Sequence, residues 1–315
     1  MQTGKDKEVK SLRILFTGGT GVIGKKLVAK CLGAGLECAV ITRDVEKSRK
    51  GFKGKVKHIE YGPNRRNLRE DILAFDPLVC VHLASYISSE SDTTTCDKLI
   101  DTNVRFPCFI LEALRESGLK YFINTGSFSE FYKGPARSDP AYFYSATKIA
   151  FRDLLDSYSI DMGFVYFSII PYSVYGIRSS TKKAIDVILS SLSNKEPVDM
   201  TPGDQALDFI HVDDVCDFYF FMLNNLDVKM HKRTYHLGSG SATTIKDLAK
   251  LIEQLSMEKA NIRWGGIPYR KKDIMRAVAP VEILDRDTGW RPMIKLRQGL
   301  KRYLKQKGSS KKSIS

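Results

Sequence analysis

The sequence lacks several features that would place it in a special class of protein. Its 315 residues contain no apolar run of the roughly eighteen residues that a membrane helix needs, so we expect no membrane span. The first ten residues are polar and charged, unlike a secretory signal. The six cysteines form no Cys-x-x-Cys pair and the five histidines no His-x-x-x-His pair, so we expect no metal site. Scattered free thiols are typical of a reducing compartment, and we expect a cytoplasmic protein.

Acidic residues are also missing from the end of the chain. From Arg291 onward there are nine Lys or Arg and no Asp or Glu, which accounts for much of the net charge of +14. Such a stretch is typical of an arm that binds nucleic acid or anionic membranes, or of a solvated helix with a frayed end. We favour the solvated helix and expect no nucleic-acid partner, because no nucleic-acid motif occurs elsewhere.

The sequence does contain a strand, a glycine-rich turn and a helix in immediate succession. Residues 13–17 form a predicted strand, residues 17–24 carry the glycines, and Ile23, Leu27 and Cys31 recur at helical spacing. A second apolar strand follows, which completes a βαβ unit of about thirty residues. The glycines let backbone N–H groups approach a pyrophosphate, and the helix N-terminus adds positive charge. The pattern therefore predicts a nucleotide-binding site.

The alternation of strands and helices continues to about residue 176. Strands are predicted at residues 78–84, 121–124 and 164–170, and helices at 100–117 and 144–158. Near-continuous apolar strands are typical of a sheet covered on both faces. The sequence thus predicts an α/β fold with a doubly wound parallel sheet.

In the second part of the chain, strands and helices no longer alternate regularly. Helices are predicted at residues 184–193 and 244–255, a loop at 195–205 and a last helix from about 294, which indicates a smaller C-terminal α/β substrate-binding cap. The predicted organisation is a flexible leader (1–11), a nucleotide-binding domain (12–176, to which about 207–240 returns), mainly substrate-binding cap (177–300) and a basic tail (301–315).

The residues that end the second strand bear on the choice of cofactor. An arginine there suits the 2′-phosphate of NADP, whereas an acidic residue suits the ribose 2′-OH of NAD. Arg43 stands in this region, and its guanidinium can grip phosphate in a fork. Asp44 would serve NAD instead, or cap the next helix. We favour NADPH (NADP), with NAD as the alternative.

Tyr144 and Lys148 stand four residues apart in a predicted helix, so they share one face. A free phenol has a pKa of about 10, and a nearby ammonium favours the phenolate. The pair therefore predicts proton transfer at a carbon that bears oxygen. Thr125, Ser127 and Ser129 follow a strand at the carboxyl edge of the sheet, where ligands bind. Each is a candidate to polarise the substrate oxygen, and position alone does not choose among them.

Taken in their order, these motifs resemble the extended short-chain dehydrogenase/reductase family, whose members modify nucleotide sugars. The resemblance covers most of the chain. Within that family, residues 41–45 and 124–128 look like the CDP-abequose and CDP-paratose synthase group, which are NADPH-dependent 4-ketoreductases of CDP-4-keto-deoxyhexoses. The other matching segments are residues 17–24, 82–84, 103, 144–148, 174–176, 208–215, 237–240 and 289–292.

The resemblance implies a Rossmann domain with a sugar-nucleotide cap, a homodimer, and Ser127 as the catalytic hydroxyl beside Tyr144 and Lys148. It also implies two sets of binding residues. The cofactor set is Gly18, Thr20, Gly21, Val22, Ile23, Gly24, Thr42, Arg43, Leu83, Ala84, Ser85, Asn103, Thr125, Tyr144, Lys148 and Pro171. The substrate set is Tyr86, Ser127, Ser129, Tyr144, Ser173 and Arg178.

Three departures from the family pattern bear on the reaction. Family dehydratases place Asp-Glu just after the catalytic hydroxyl, but Phe128 and Ser129 stand there, so elimination of water lacks its acid and base. Leu207 replaces an arginine that holds the sugar's diphosphate in many members. Ser173 stands where many members have asparagine.

We therefore expect NADPH-dependent reduction of the C4 ketone of a CDP- or dTDP-linked 4-keto-6-deoxyhexose, in the synthesis of deoxysugars for lipopolysaccharide O-antigen. One alternative is a nucleotide-sugar 4-epimerase with tightly held NAD, which Asp44 would serve. Another is a non-catalytic protein that senses NADP, because Rossmann folds also host such roles. The intact Ser127, Tyr144 and Lys148 argue against the sensor.

Overall fold

The structure is a computed structural model and describes residues 12–52, 54–62, 65–90, 92–177 and 183–312. The predicted leader lies outside the described residues. The chain forms two compact units. The first comprises residues up to 130 together with 142–170 and 216–235, and the second comprises 131–141, 171–215 and the residues from 236 onward.

The first unit is built on a seven-stranded sheet with the order β10-β6-β5-β4-β1-β2-β3. The neighbouring pairs among β1 to β6 run parallel. The sequence prediction of a parallel α/β sheet is confirmed. The strands are β1 (Arg13–Thr17), β2 (Glu37–Thr42), β3 (Val56–Glu60), β4 (Val79–His82), β5 (Tyr121–Thr125), β6 (Val165–Pro171) and β10 (Thr234–Leu237).

Helices flank this sheet, because the crossover that joins two parallel strands is usually an α-helix. The central strands are apolar and buried, and every residue of β4 is buried. Leu15, Phe122 and Phe151 belong to one core cluster and are fully buried. The helices are α1 (Val22–Gly33), α2 (Val45–Lys50), α3 (Arg65–Phe75), α4 (Thr93–Ile100), α5 (Phe106–Leu114), α6 (Phe143–Met162) and α8 (Val212–Leu223).

The helix predicted at residues 100–117 is present to residue 114, but it is not a regular α-helix throughout. The structure has α4, then a π-helical turn at Asp101–Arg105, then α5. The wider turn brings Asn103 to a fully buried position. Pro107 lies at the start of α5, where its missing N–H is tolerated. Periodicity in the sequence does not register the extra residue that a π turn inserts.

The second unit carries two small sheets. One has the order β11-β9-β13, with β7 also paired to β9, and the other pairs β12 with β8. The loop predicted at residues 195–205 is therefore wrong in part, because it contains β8. The strands are β7 (Ser173–Tyr175), β8 (Val198–Met200), β9 (Ala206–His211), β11 (Ala242–Thr244), β12 (Ile262–Trp264) and β13 (Arg276–Ala277).

A second hydrophobic cluster holds this unit together, with Ile188, Leu248 and Leu300 fully buried. Asp208 on β9 is buried and accepts hydrogen bonds from Ser239 N (2.7 Å) and Gly240 N (2.9 Å), which ties the loop after β10 to β9. None of the described helices is long and apolar enough to cross a membrane. The helices are α7 (Ala184–Ser191), α9 (Ile245–Ser256), α10 (Val281–Thr288) and α11 (Leu296–Lys312).

Candidate active site

The glycine-rich turn between β1 and α1 is closely packed on its inner side. Gly18 has φ +65°, and a Cβ at this position would lie 2.5 Å from Ala84 N. Gly21 N–H donates to Gly18 O at 2.9 Å and closes the turn. A Cβ on Gly24 would lie 2.3 Å from Gly18 O. Any side chain at residue 18 or 24 would therefore force the turn away from β4 or from α1.

The outer side of the same turn fits an anionic group. Thr20 and Gly21 are exposed, and Val22 and Ile23 are partly exposed. Gly21 is the N-cap residue of α1, and within the described part of the chain no side chain caps this helix end. Its first amides need an acceptor, and the helix N-terminus favours negative charge. The pyrophosphate of a dinucleotide matches both requirements.

The end of β4 is fixed beside this turn by a buried histidine. Thr17 Oγ1 and His82 Nδ1 lie 2.7 Å apart, and Ala84 N donates to Thr17 Oγ1 at 3.3 Å. Burial, with a contribution from the charge of Lys148, holds the pKa of His82 well below its ordinary value, so the imidazole is neutral. Leu83 and Ala84 are thereby held next to the glycine turn.

The two charged residues after β2 have different roles in the structure. Asp44 Oδ1 accepts a hydrogen bond from Lys47 N at 2.9 Å and is the N-cap of α2. Thr42 Oγ1 accepts from Asp44 N at 3.2 Å and steadies the bend. Arg43 is exposed at the end of the strand. Of the two uses that the sequence allowed for Asp44, the structure shows helix capping.

Tyr144 and Lys148 lie one turn apart on α6, and both are buried, with exposed fractions of 5% and 2%. Burial raises the pKa of the Tyr144 hydroxyl, and hydrogen bonding to the side chains of Ser85 and Ser127 lowers that pKa by less. Burial also lowers the pKa of Lys148 to about 8, an effect that the negative charge of Glu130 opposes. The site therefore joins a protonated phenol to a lysine that titrates near neutral pH.

Ser127 belongs to a chain of three hydroxyl groups. Ser145 Oγ donates to Ser129 Oγ at 2.8 Å, and Ser129 Oγ lies 2.9 Å from Ser127 Oγ. Ser129 N–H also donates to Ser127 Oγ at 3.3 Å. Either hydroxyl can donate across the Ser129–Ser127 contact. When Ser129 donates, Ser127 accepts from both the hydroxyl and the N–H of Ser129, and its own proton is available for Tyr144 or a bound oxygen.

A buried carboxylate stands directly behind Ser127. Glu130 is 1% exposed; its Oε1 accepts from Ser127 N at 2.6 Å and its Oε2 accepts from Arg152 Nη1 at 3.0 Å. Burial raises the pKa of Glu130 above its ordinary value, although the positive charges of Arg152 and Lys148 act to lower it. A Cβ on Gly126 would lie 2.6 Å from Glu130 Oε1, so glycine leaves room for the carboxylate.

Asn103 uses its whole amide group to support the neighbouring loop. Its Oδ1 accepts from Tyr86 N at 2.8 Å and from Ser85 Oγ at 3.2 Å. Its Nδ2 donates to Tyr86 O at 2.9 Å and to Thr147 Oγ1 at 3.1 Å. With all four hydrogen-bonding positions filled, Asn103 orients Ser85, and through it Tyr144.

The structure thus brings together the three predicted catalytic residues, Ser127, Tyr144 and Lys148, within the first unit. Thr125 Oγ1 lies 2.7 Å from the hydroxyl of Tyr219 on α8. Pro171 is the last residue of β6, and Ser173 is the first residue of β7 in the second unit. Arg178 lies outside the described residues.

Sequence reasoning missed the supporting residues Glu130, Arg152 and Ser145. A signal for Arg152 was present, because it continues the four-residue spacing of Tyr144 and Lys148 along one face of α6. Glu130 stands three residues after Ser127 and shares no α-helix with the other residues of the site. No spacing rule in the sequence distinguishes its buried position from a solvent-facing one.

Comparison with known proteins gives the family. The model for the NAD dependent epimerase/dehydratase family matches residues 14–238. The chain belongs to this family. Its matched region begins at β1 and ends after β10, so it contains the glycine turn, the serine loop and the Tyr144/Lys148 helix.

Two relatives and one solved structure extend this comparison. The chain is 28% identical to a CDP-abequose synthase of Salmonella typhimurium, over 93% of this chain and 97% of that protein. It is 25% identical to a CDP-abequose synthase of Yersinia pseudotuberculosis, over 94% of this chain and 99% of that protein. The UDP-glucose 4-epimerase of Thermus thermophilus, solved with NAD, superposes with a TM-score of 0.80 at 22% identity, covering 93% of this chain and 98% of that chain. The first unit therefore has a Rossmann-like fold.

Proposed function

We propose that this protein is an NADPH-dependent reductase of the C4 ketone in a nucleoside-diphosphate 4-keto-6-deoxyhexose. The proposal rests on the hydrogen bonds of Glu130, the carboxylate beside the hydroxyl group of Ser127. Both oxygens of Glu130 are engaged, by Ser127 N and by Arg152. Elimination of water needs an acid and a base that reach the sugar, and this loop offers neither. The similarity to the two CDP-abequose synthases supports a nucleotide-sugar substrate.

Each residue of the site has a separate role in the reduction of the ketone. The nicotinamide, when bound, supplies hydride to C4. Ser127 donates a hydrogen bond to the keto oxygen, while its own oxygen accepts from Ser129 N–H. Tyr144 gives its proton to the same oxygen as it becomes an alkoxide, and the ammonium of Lys148 stabilises the resulting phenolate. The raised pKa of Tyr144 keeps the phenol protonated and ready to act as the acid.

NADPH is the proposed cofactor because of the residues after β2. Asp44 is committed to capping α2, and Arg43 is exposed where a 2′-phosphate would lie. Arg43→Ala should raise the KM for NADPH by about 10- to 100-fold, the value of a charge-assisted hydrogen bond, and leave the KM for NADH nearly unchanged. Equal effects on both cofactors would contradict the assignment of Arg43. Asp44→Ala is unsuitable as a control, because it removes the helix cap.

The decisive experiment is turnover with defined substrates. Purified protein is mixed with NADPH and either CDP- or dTDP-4-keto-6-deoxyglucose, and loss of the reduced-nicotinamide absorbance is followed while the sugar product is identified by mass spectrometry. We expect oxidation of one NADPH for each 4-hydroxy sugar formed. Protein that carries bound NAD and interconverts 4-epimers without added cofactor would establish the epimerase instead. No turnover with any 4-keto sugar nucleotide would refute the reductase.

A further inference from the structure

The buried carboxylate behind Ser127 has two separate connections to the site. We propose that Glu130 is a positioning residue: its contact with Ser127 N and its ion pair with Arg152 fix the loop that carries Ser127, and its charge balances the ammonium of Lys148. The kinetic consequences rest on the proposed function. The electrostatic consequence does not, because it concerns the charge state of Lys148 in the free protein.

The first connection is geometric. Ser127 N–H donates to Glu130 Oε1 at 2.6 Å, and Glu130 N–H donates to Ser127 O at 3.0 Å. These two bonds close a ring around the short 3₁₀ turn Phe128–Glu130. Arg152 Nη1 holds the other carboxylate oxygen at 3.0 Å and ties that ring to α6. Ser127 is thereby fixed relative to Tyr144, which lies on the same helix.

The second connection is electrostatic. Lys148 and Arg152 are four residues apart on α6 and present two positive charges to the same buried region. Glu130 is the carboxylate that faces them, and its charge acts on Lys148, Arg152 and Tyr144. Without that charge, burial would lower the pKa of Lys148 further and favour the neutral amine. The carboxylate therefore keeps Lys148 charged when the adjacent phenol needs it.

A direct chemical role for Glu130 does not fit its surroundings. The side chain is 1% exposed, and both oxygens are occupied by donors of the protein itself. A general base must reach the proton that it removes. Glu130 acts on the reaction through Ser127 and Lys148.

The first test compares pH profiles of turnover for the wild type and Glu130→Gln. The amide of Gln keeps an oxygen for Ser127 N but removes the charge. Turnover needs Lys148 and Tyr144 protonated, so it falls at alkaline pH. In Glu130→Gln we expect this fall in turnover to occur about one pH unit lower, as is typical when a nearby opposite charge is lost. The KM for the ketone should change little. A profile that superimposes on that of the wild type would overturn the proposal.

The second test does not depend on turnover. Lysine side chains are labelled with carbon-13 and titrated by NMR, and the Lys148 signal is assigned by its absence in Lys148→Arg. The wild-type signal should titrate near the pKa of about 8, and the midpoint should fall in Glu130→Gln. An unchanged midpoint refutes the electrostatic role. If no 4-keto sugar is reduced, the proposed function fails while this measurement still decides the role of Glu130.

Two further variants complete the test. One distinguishes the position of the Glu130 carboxylate from its charge and serves if Glu130→Gln does not fold, and the other is a control outside the site. Glu130→Asp keeps the negative charge but has a shorter side chain. Turnover should therefore fall several-fold, while the pH at which turnover declines on the alkaline side should stay the same. Unchanged turnover in Glu130→Asp would overturn the positioning role, even if Glu130→Gln does not fold. Glu112→Gln is the matched control, because Glu112 also pairs with an arginine, Arg115, at 3.0 Å on α5 outside the site. It should change neither the pH profile nor the Lys148 titration.

Discussion

Replacing Lys148 by methionine should make the protein more stable while abolishing its activity. Lys148 is 2% exposed, and burial lowers its pKa from 10.5 to about 8. This fall corresponds to about 3 kcal/mol by which folding is disfavoured when the amine is protonated in both states. Methionine has a similar length and no charge to desolvate, and Glu130 keeps its partner Arg152. The gain in the free energy of unfolding should therefore approach about 3 kcal/mol at neutral pH.

The direction of the pKa shift of Lys148 determines how the stability gained in Lys148→Met depends on pH. Below about 8 the lysine is charged in the folded and unfolded states, so the full cost of its burial is present. Between about 8 and 10.5 only the unfolded state holds the proton, and the wild type gains stability as the pH rises. Above 10.5 both states are neutral, and the cost disappears. The advantage of Lys148→Met should shrink across this range.

Urea denaturation of wild type and Lys148→Met at several pH values measures this difference. Lys98→Met is the control, because Lys98 is exposed on α4 and its removal should give no pH-dependent change. Turnover of Lys148→Met should be lost at every pH. The reasoning would be refuted if Lys148→Met were less stable than the wild type at neutral pH, or if the difference did not change with pH.

Three other substitutions test the site. Tyr144→Phe should lower turnover by about 10²- to 10⁴-fold, as expected for loss of a general acid, while NADPH affinity measured by fluorescence titration stays unchanged; full retention of turnover would indicate a different acid. Ser145→Ala removes the buried donor to Ser129, so urea denaturation should show a loss of about 1 kcal/mol in the free energy of unfolding, and turnover should fall about five-fold; unchanged turnover would show that Ser127 does not depend on this chain. Gly24→Ala places a Cβ 2.3 Å from Gly18 O, so calorimetry should find weaker dinucleotide binding and a lower melting temperature; wild-type affinity would show that the turn can move.

The sequence predicted the parallel sheet because strands buried on both faces need continuous apolar runs. β4 is an example, since all of its residues are buried. The glycine turn was predictable for a related reason, because strand, glycines and helix follow one another without interruption. β8 was missed because three residues are too few to show a period, and its partner β12 lies more than sixty residues away.

The supporting residues of the site were harder to predict than its acid and its lysine. Tyr144 and Lys148 lie on one helix, where spacing in the sequence translates directly into proximity. Asn103 reaches Ser85 and Thr147 only because a π turn rotates it inward, and helical periodicity does not predict such a turn. The ion pair of Glu130 with Arg152 joins a loop to a helix, and such pairs depend on tertiary packing.

Because Gly126 has no side chain, it leaves space for the Glu130 carboxylate, and this restricts the order in which the two residues can be replaced during evolution. A Cβ at residue 126 would lie 2.6 Å from Glu130 Oε1 and 2.3 Å from Ile170 Cδ1. The Ile170 side chain is fully buried, and the carboxylate is held at both oxygens. A lineage that keeps the buried glutamate must therefore keep the glycine, and a larger residue becomes acceptable only after the glutamate is lost. The two positions should change together, and the glutamate first.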